Sequence, residues 1–516
     1  MAGKIILGPL LGFEGNGEYT VCILTTAETP SPELALKGST AVEFERIEAT
    51  PSGVFWRAVF EAQGSPSVEY SISASGDQLV SAKGSSSWKF YIPQDTTQLR
   101  MAYASCNGFS SGKLARDTKE PQALWRELAE RHEHTPFSLL LLGGDQVYAD
   151  SLWTSWKEAP SVCRWAERDR AQQLTDKATP TMEGELNRFY EKLYIRNWGY
   201  HELAEVLATI PSAMMWDDHD IFDGWGSYSN EMLDCSVYRA IFRAARKYFR
   251  LFQLRSTRNK SLFLKDLGDS DPIDDGKHHA WSFRIQDTLI LALDLRSARR
   301  MNRVMSDQQW DDFKNWMKVQ VDDNTKAVKT VLVLSSIPVQ YREFVAGGHL
   351  LGWSETLRDQ DNRDSLDDDL HDHWRHASHE GERMRLIQNL FQFHEDLEKK
   401  QGFRPTLVIL SGDVHVGALG LLEKVGACSR QIHQIISSGI VHPPPSWFEW
   451  MGVWATSNDN PQSLEGGSIR THMLRPYGGD SYLRTRNFTS LERGSDDKLW
   501  VTWICEEGGK PEFPIA

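Results

Sequence analysis

The sequence has no long apolar run, no clustered cysteines and no excess of positive charge, and each absence excludes a class of protein. No apolar segment approaches the ~18 residues that a membrane-spanning helix needs, so we expect no membrane association. The six cysteines are scattered without a CxxC pair, which predicts reduced thiols. The 57 Lys and Arg residues against 71 Asp and Glu give a net charge of -14, which argues against dedicated nucleic-acid binding.

The N-terminus, MAGKIILGPLLGFEGNGE, carries one lysine and a short apolar patch interrupted by Gly and Pro. It lacks a convincing cleavage site, so we expect no secretory signal and a cytoplasmic location. Because the surface is acidic, an anionic substrate would need local positive charge from arginines or bound metal.

Residues 1–96 contain short segments of alternating polarity separated by turn-rich pieces. This spacing predicts a small antiparallel β-sandwich domain. The segments are Tyr19–Thr25, Val54–Ala62, Val68–Ala74 and Ser87–Ile92. No residue here indicates a ligand, so we expect a structural module or one through which the chain forms a homo-oligomer.

Residues 97–516 instead alternate buried strands with periodic helices, which predicts a layered α/β domain. The predicted strands are Leu99–Ser105, Ser138–Gly143, Pro211–Trp216, Leu289–Leu295, Thr330–Ser336, Thr406–Gly412 and Ile432–Ser438. The carboxyl ends of parallel strands form the usual active-site edge of such folds.

Residues suited to chemistry follow five of these strands. In chain order they are Cys106; Asp145, Tyr148 and Asp150; Asp217, Asp218, His219 and Asp220; Asp294 and Arg296; and Asp413 and His415. Any one of them alone is better explained as a turn former, a helix cap or a buried polar residue. Their recurrence at successive strand ends indicates a site with more than one metal, since its ligands must converge from several elements.

Read in order, GDQVYAD, WDDHD and SGDVHVG resemble the motifs of the alkaline phosphatase D (PhoD-like) family of calcineurin-like metallophosphoesterases. The resemblance covers roughly residues 99–438, and the N-terminal β-domain fits the family's layout. It implies an α/β/β/α core and a hydrolase for small phosphate mono- or diesters, in which a hydroxide held between two metals attacks in line.

For the first metal, the resemblance implies Asp145 as the bridging ligand, Tyr148 as a phenolate, Cys106 as a thiolate and His415 as a nitrogen ligand. The superfamily's opening D-x-H is absent, and Cys106 stands at that point. A phenol in water ordinarily has a pKa of ~10, so holding Tyr148 deprotonated requires a strong Lewis acid such as Fe3+. A thiolate is likewise suited to iron and unsuited to Ca2+ or Mg2+.

For the second metal, carboxylates replace the superfamily's other ligands. Asp218 stands where the superfamily has Asn, and Asp413 where it has the first His of its last motif. The segment after TVLVLSSIPV contains no histidine. An all-oxygen site favours Ca2+, although Mg2+, Mn2+ or Zn2+ could substitute. The five ionised ligands Cys106, Asp145, Tyr148, Asp218 and Asp413 balance the charge of Fe3+ plus Ca2+.

The resemblance also implies roles around the metals. His219 would contact the phosphoryl group and protonate the leaving oxygen. Asp217 and Asp220 would orient the His219 ring, and Asp150 would support Tyr148 or the bridging carboxylate. Arg296 is predicted to bind the phosphate, since a guanidinium matches two phosphoryl oxygens, although an ion pair with Asp294 or a helix cap explains it nearly as well.

Two alternative functions stay open. The first is a nuclease or phospholipase-type diesterase on the same metal core. The second is a non-catalytic metal-binding scaffold, which would keep the metal ligands but lose the proton donor. Residues 357–383, rich in Asp and His, lack the spacing of a calcium-binding loop and predict a charged lid or a solvated helix.

Overall fold

The computed structural model describes residues 4–62, 65–95, 99–255, 277–323, 325–344, 374–426, 429–447, 450–451, 454 and 457–516. Most of the predicted lid segment, residues 357–373, lies outside the described residues. The five described cysteines are all free, as their scattered positions predict. Within the described residues, no helix combines the length and the apolar character that crossing a bilayer requires.

Within the described ranges, the larger of the two main sheets has ten strands, numbered here in chain order. They are β1 (Ile5–Gly15), β2 (Glu18–Thr25), β5 (Glu45–Thr50), β6 (Gly53–Glu61), β10 (Arg100–Ala104), β11 (Leu139–Gly143), β12 (Ser212–Met215), β24 (Asn487–Arg493), β25 (Leu499–Cys505) and β26 (Glu512–Ile515). Their order is β26-β25-β24-β10-β11-β12-β1-β2-β6-β5. The strands β10, β11 and β12 are parallel, so their carboxyl ends lie at one edge.

The second main sheet has nine strands in the part of the chain that the structure describes. They are β13 (Trp281–Ile285), β14 (Thr288–Ala292), β15 (Thr330–Leu334), β17 (Thr406–Ser411), β18 (Gly417–Lys424), β19 (Arg430–Ile436), β21 (Gln462–Leu464), β22 (Ile469–Leu474) and β23 (Tyr482–Leu483). The strands β14, β15, β17 and β19 are parallel. All seven strands predicted for residues 97–516 are therefore confirmed, and they divide between the two sheets.

The remaining strands form two small sheets. Five belong to the N-terminal region: β3 (Pro32–Leu36), β4 (Val42–Glu43), β7 (Ser67–Ala74), β8 (Asp77–Gln78) and β9 (Ser87–Tyr91). The other two, β16 (Glu343–Phe344) and β20 (Ser457–Asn458), pair with each other.

Helices cover the outer face of each main sheet. Their bounds are α1 (Gly112–Asp117), α2 (Ala123–His134), α3 (Pro160–Ala166), α4 (Arg170–Thr175), α5 (Pro180–Trp198), α6 (His201–Thr209), α7 (Asn230–Leu233), α8 (Ser236–Tyr248), α9 (Asp307–Asp322) and α10 (Glu380–Gln401). The larger sheet packs against α2, α5, α6 and α8, and the second sheet packs against α9 and α10. The predicted α/β/β/α layering is confirmed.

Successive side chains of a strand point to opposite faces of its sheet, and this alternation lets the two main sheets pack face to face. In β11, Leu139 and Leu141 join the core between the sheets, while Leu140 and Leu142 join the core under the helices. Each fully buried leucine contributes roughly 1.5–3 kcal/mol, so this strand is firmly anchored at the point where its polar tail begins. Strand β17 follows the same pattern, with Val408 and Leu410 facing the larger sheet.

The N-terminal strands form two antiparallel sheets, as expected of a β-sandwich. One of them also continues the larger main sheet, because β1 pairs in parallel with β12 through Gly12 and Ser212. The N-terminal apolar patch is therefore a strand within this sheet. The domain boundary at residue 96 and self-association through residues 1–96 stay predictions.

Candidate metal centre

Four of the predicted metal ligands stand at sharp turns after their strands. The backbone angle φ is 57° at Cys106, 56° at Asp145, 68° at Asp413 and 53° at His415. This left-handed conformation costs a non-glycine residue about 1–3 kcal/mol, and such strain collects at functional sites. Three strand ends, from both main sheets, share this costly geometry, which marks them as one functional region.

The glycine pair before Asp145 allows a close approach of neighbouring strand ends. A Cβ on Gly143 would lie 2.0 Å from the Tyr103 hydroxyl, and one on Gly144 would lie 2.8 Å from the Asp217 Cβ. Gly144 also has a φ of 109°, which favours glycine. Gly143 thus lets the end of β11 approach β10 closely, and Gly144 lets it approach the turn after β12.

Asp220 anchors the loop that carries Asp145. Its Oδ1 accepts hydrogen bonds from Gln146 N at 3.0 Å, Val147 N at 3.1 Å and the Gln253 side chain at 2.8 Å. Its Oδ2 accepts from Asp145 N at 2.9 Å and from Asp217 N at 2.8 Å. One buried carboxylate thus fixes the backbone after both β11 and β12.

Carboxylates from both main sheets converge next to this loop. Asp145, Asp217, Asp218 and Asp413 each place an oxygen within 4.8 Å of the others, and Asp145 and Asp218 form a second such group with His219. The predicted ligands of the second metal are therefore brought together, with Asp217 added. Asp145 is 1% exposed, and its Oδ1 has no hydrogen-bond partner among the described residues.

Burial of so many carboxylates requires compensating positive charge. Burial raises the pKa of Asp145 well above its usual value, and the charges of Asp217 and Asp218 act in the same direction while His219 opposes them. Converging buried oxygens with an unsatisfied carboxylate oxygen are the donor set that a hard cation takes. The residues present therefore fit a metal ion.

Arg296 supplies part of that charge from beneath the cluster. Its side chain is fully buried; Nε donates to Asp217 Oδ1, one Nη lies 3.3 Å from Asp218 Oδ1, and the other donates to the Trp225 carbonyl at 3.2 Å. The predicted phosphate-binding role stays a prediction, but these contacts favour a role in holding the carboxylates. Asp294 accepts from the Arg296 backbone N, at 3.1 Å, and has no ion pair with its guanidinium among the described contacts.

The predicted ligands of the first metal meet at the other oxygen of Asp145. The Cys106 Sγ lies 3.4 Å and the Tyr148 hydroxyl 3.5 Å from Asp145 Oδ2. Burial raises the pKa of both groups well above their usual values, and the charge of Asp145 raises them further. Without a cation both groups stay protonated, and a bound metal would be needed to ionise them.

His415 joins this region through a stack of four rings. His415 stacks on His442 with 3.7 Å between ring centroids, His442 lies 5.6 Å from Tyr148, and Tyr148 lies 4.2 Å from His219. The Nδ1 of His415 is buried without a hydrogen-bond partner among the described residues. Among the described residues, neither Cys106 nor His415 belongs to a group of three or more His, Cys, Asp or Glu side chains whose ligand atoms lie within 4.8 Å of one another. The first metal site therefore rests on the pairwise contacts given above.

His442 is a site residue that the sequence analysis missed. It follows β19 by six residues and is 5% exposed. Its backbone N donates to the Cys106 carbonyl at 3.1 Å, and its ring lies 3.2 Å from the Ser110 hydroxyl. An inspection of the residues after β19 would have found it, because β19 lies next to β17 in the second sheet and its carboxyl end faces the same edge.

Asp150 holds the candidate proton donor. Both of its carboxylate oxygens lie 3.0 Å from His219 Nδ1, while Nε2 lies 3.9 Å from Asp223. Burial lowers the pKa of His219, but the charges of Asp150, Asp218 and Asp145 outweigh it and raise the pKa well above its usual value. Asp150 therefore has the ring-orienting contact that was predicted for Asp217 and Asp220, whose oxygens instead accept from Arg296 and from the backbone.

Comparisons with known proteins agree with this geometry. A family model described as "PhoD related phosphatase" matches residues 75–356 and 353–451. An uncharacterized protein of Saccharomyces cerevisiae, YGR266W, is 28% identical over 429 residues, which cover 69% of this chain and 59% of that protein. The chain thus spans about three fifths of the curated relative that it matches.

The chain is also similar to solved structures. The structure of PhoD superposes with a TM-score of 0.54 at 12% identity, covering 99% of this chain and 89% of that one. The purple acid phosphatase PPD1 from yellow lupin seeds gives a TM-score of 0.47 at 10% identity, covering 99% of this chain and 74% of that one. At this identity the PhoD likeness shows the fold.

Proposed function

Because the chain belongs to the PhoD-related phosphatase family, we propose that it is a metal-dependent hydrolase of phosphate mono- and diesters. One observation carries the proposal: four carboxylates from both main sheets converge within 4.8 Å, and His219 lies beside them. This combines a cation-binding site with a candidate proton donor at the edge where α/β folds place their active sites.

The metal pair would be held by two sets of side chains that share Asp145. Cys106, Tyr148 and His415 complete one set, and Asp218 and Asp413 complete the other. When bound, the metals supply a nucleophile from water and neutralise charge on the phosphoryl oxygens. Asp217 does not upset the predicted charge balance, because the buried Arg296 guanidinium contacts it.

His219 would protonate the leaving oxygen from Nε2. The Asp150 carboxylate engages Nδ1, so the ring can present only Nε2 to a substrate. The carboxylates around the ring favour its protonated form. A positioned general acid of this kind contributes about 10²–10⁴-fold to the rate.

Turnover of bis-p-nitrophenyl phosphate and p-nitrophenyl phosphate by the purified chain tests the proposal. We expect turnover of both esters, with a partial loss in His219→Ala from the missing contact to the phosphoryl group, because p-nitrophenolate leaves without a proton. The metal content should stay unchanged. His134→Ala, at the exposed end of α2, is the matched control and should behave as the unaltered chain. A chain with full metal occupancy that turns over no phosphoester would contradict the enzyme and support the scaffold alternative.

For the metals we propose Fe3+ in the site with Cys106 and Tyr148, and Ca2+ in the all-carboxylate site. Elemental analysis combined with a visible absorption spectrum tests this assignment. Iron bound by a thiolate and a phenolate should give a charge-transfer band that shifts in Tyr148→Phe and in Cys106→Ser. A colourless protein that contains only zinc would refute it.

A further inference from the structure

A cavity of about 1070 Å³ lies where β23 pairs with β18, the strand that follows His415, and most of its large lining side chains are aromatic. Five of its lining residues are Trp447, Trp450, Trp454, Tyr477 and Tyr482. Leu483 is the one branched aliphatic side chain among the lining residues that the structure describes. Flat rings without an aliphatic cleft suit a planar partner better than an acyl chain.

Three of these rings are freely accessible. Trp447 is 61%, Trp454 58% and Tyr477 63% exposed, which is unusual for large aromatic side chains. Trp454 is held in place, because the guanidinium of the buried Arg342 lies 5.0 Å from its ring and is itself bound to Ser457. Rings that are fixed yet exposed are suited to stacking against a ligand.

Arg484 adds a hydrogen-bond donor beside the rings. Its guanidinium lies 5.2 Å from the Trp447 ring and 5.6 Å from the Trp450 ring. One Nη donates to the Pro445 carbonyl at 3.1 Å, while the buried Nε has no hydrogen-bond partner among the described residues. The second Nη of this half-buried side chain, which has no hydrogen bond among the described residues, could donate to a carbonyl or a ring nitrogen of a stacked ligand.

The charge of the walls distinguishes between ligands. The lining holds two arginines, Arg475 and Arg484, and two acids, Asp480 and Glu507. Arg475 is already paired with Asp480 at 2.9 Å. A wall with balanced charge does not favour a second phosphate, so the ligand that fits is a neutral planar group with hydrogen-bonding edges.

Two chain connections join the cavity to the metal centre. Gly417, two residues after His415, pairs with the lining residue Leu483. On the other side, Asn487 donates to the Ser438 carbonyl at 3.2 Å, and the Ser438 hydroxyl contacts Cys106 Sγ at 3.1 Å. A substrate that reached both would place its phosphate at the metals and its retained group against the rings.

We infer that this cavity receives the nucleoside of a nucleoside phosphoester substrate. The inference rests on the proposed function, because the phosphate of that ester would be cleaved at the metal centre. A nucleobase supplies the neutral planar face for the tryptophans and the acceptor for Arg484. Stacking of one base on an aromatic side chain is sequence-tolerant, so the cavity would accept several bases.

Two chromogenic diesters with the same leaving group and the same charge test the inference. They are thymidine 5′-(p-nitrophenyl phosphate) and methyl p-nitrophenyl phosphate. We expect kcat/KM to be at least about fivefold higher for the nucleoside ester, the lower end of the contribution of one stacked base. This ratio should fall towards one in Trp447→Ala and in Tyr477→Ala and stay unchanged in Tyr200→Ala, an exposed tyrosine between α5 and α6.

Saturation-transfer NMR with thymidine alone gives a second readout that needs no turnover. Transfer to the base protons should occur with the unaltered chain and disappear in Trp447→Ala. Equal kcat/KM for the two esters without transfer to thymidine would overturn the inference and leave the proposed function standing. Transfer to thymidine with both esters inert would instead contradict the proposed function.

Discussion

Replacing Asp220 with asparagine tests whether one buried carboxylate organises the metal centre. Asp220 is 1% exposed and accepts three hydrogen bonds on Oδ1 and two on Oδ2. An asparagine keeps the shape but replaces one acceptor oxygen with an NH2 group. In either orientation of the amide, at least two backbone N–H groups lose their acceptor.

The cost follows from those two groups. A buried donor without its acceptor costs about 1–3 kcal/mol, so we expect a loss of roughly 2–6 kcal/mol. At about 2.1 cal/mol/K per residue over 516 residues, this lowers the melting temperature by about 2–6 °C. In either orientation an affected donor belongs to the loop that carries Asp145, and a shift of its carboxylate by about 1 Å would reduce turnover by about 100-fold.

Calorimetry of the chelator-treated protein measures the change in melting temperature. Turnover of bis-p-nitrophenyl phosphate measures the effect of the displaced Asp145 carboxylate. Asp77→Asn, in the short exposed strand β8, is the matched control and should change neither the melting temperature nor the turnover. A melting temperature within about 1 °C of the unaltered chain, together with turnover within about twofold, would refute the anchoring role of Asp220.

Three further predictions concern other parts of the site. His219→Gln should reduce turnover of an alkyl phosphodiester by about 10²–10⁴-fold. It should affect p-nitrophenyl esters much less, because p-nitrophenolate leaves without a proton. Equal losses of turnover on both kinds of ester would contradict proton donation by His219. Gly144→Ala should lower the melting temperature more than Gly38→Ala, since both have positive φ but only Gly144 meets a neighbour, the Asp217 Cβ at 2.8 Å. Arg296→Met should destabilise the fold by about 3–5 kcal/mol by leaving Asp217 without its buried cation, and adding Asp217→Asn should recover part of that loss in a thermal melt.

The sequence was sufficient to predict the two features that repeat along the chain. Apolar runs such as Leu139–Leu142 predict buried strands, and the polar residues that follow them indicate the sheet edge where a site forms. The resemblance of these tails to a known family then predicted that Asp145, Asp218 and Asp413 converge. In the structure, their oxygens lie within 4.8 Å of one another.

Contacts between side chains that are distant in the chain could not be predicted in this way. The flanking acids Asp217 and Asp220 looked like the partners of His219 because they are its sequence neighbours. The structure gives that contact to Asp150, 69 residues away, because the loop after β11 crosses the end of β12. Arg296 looked available for phosphate, but tertiary packing directs its guanidinium onto Asp217.

Sheet membership also depends on pairing that a local pattern does not contain. The N-terminal apolar patch has no alternation that distinguishes a strand of the main sheet from an isolated one, yet Gly12 pairs with Ser212. At the opposite side, β24 pairs with β10 through Met101 and Leu491. Both pairings join segments separated by about two hundred residues or more, so only the folded chain reveals them.

The central claim is that strand-end carboxylates hold metal ions that the chain uses to hydrolyse phosphoesters. The most direct measurement is turnover of bis-p-nitrophenyl phosphate by the chelator-stripped chain, before and after metal is added back, with bound metal determined in parallel. We expect turnover to disappear on stripping and to return in proportion to bound metal, and neither metal nor turnover to return in the double variant Asp145→Ala/Asp413→Ala. Undiminished turnover by the stripped chain would contradict the account.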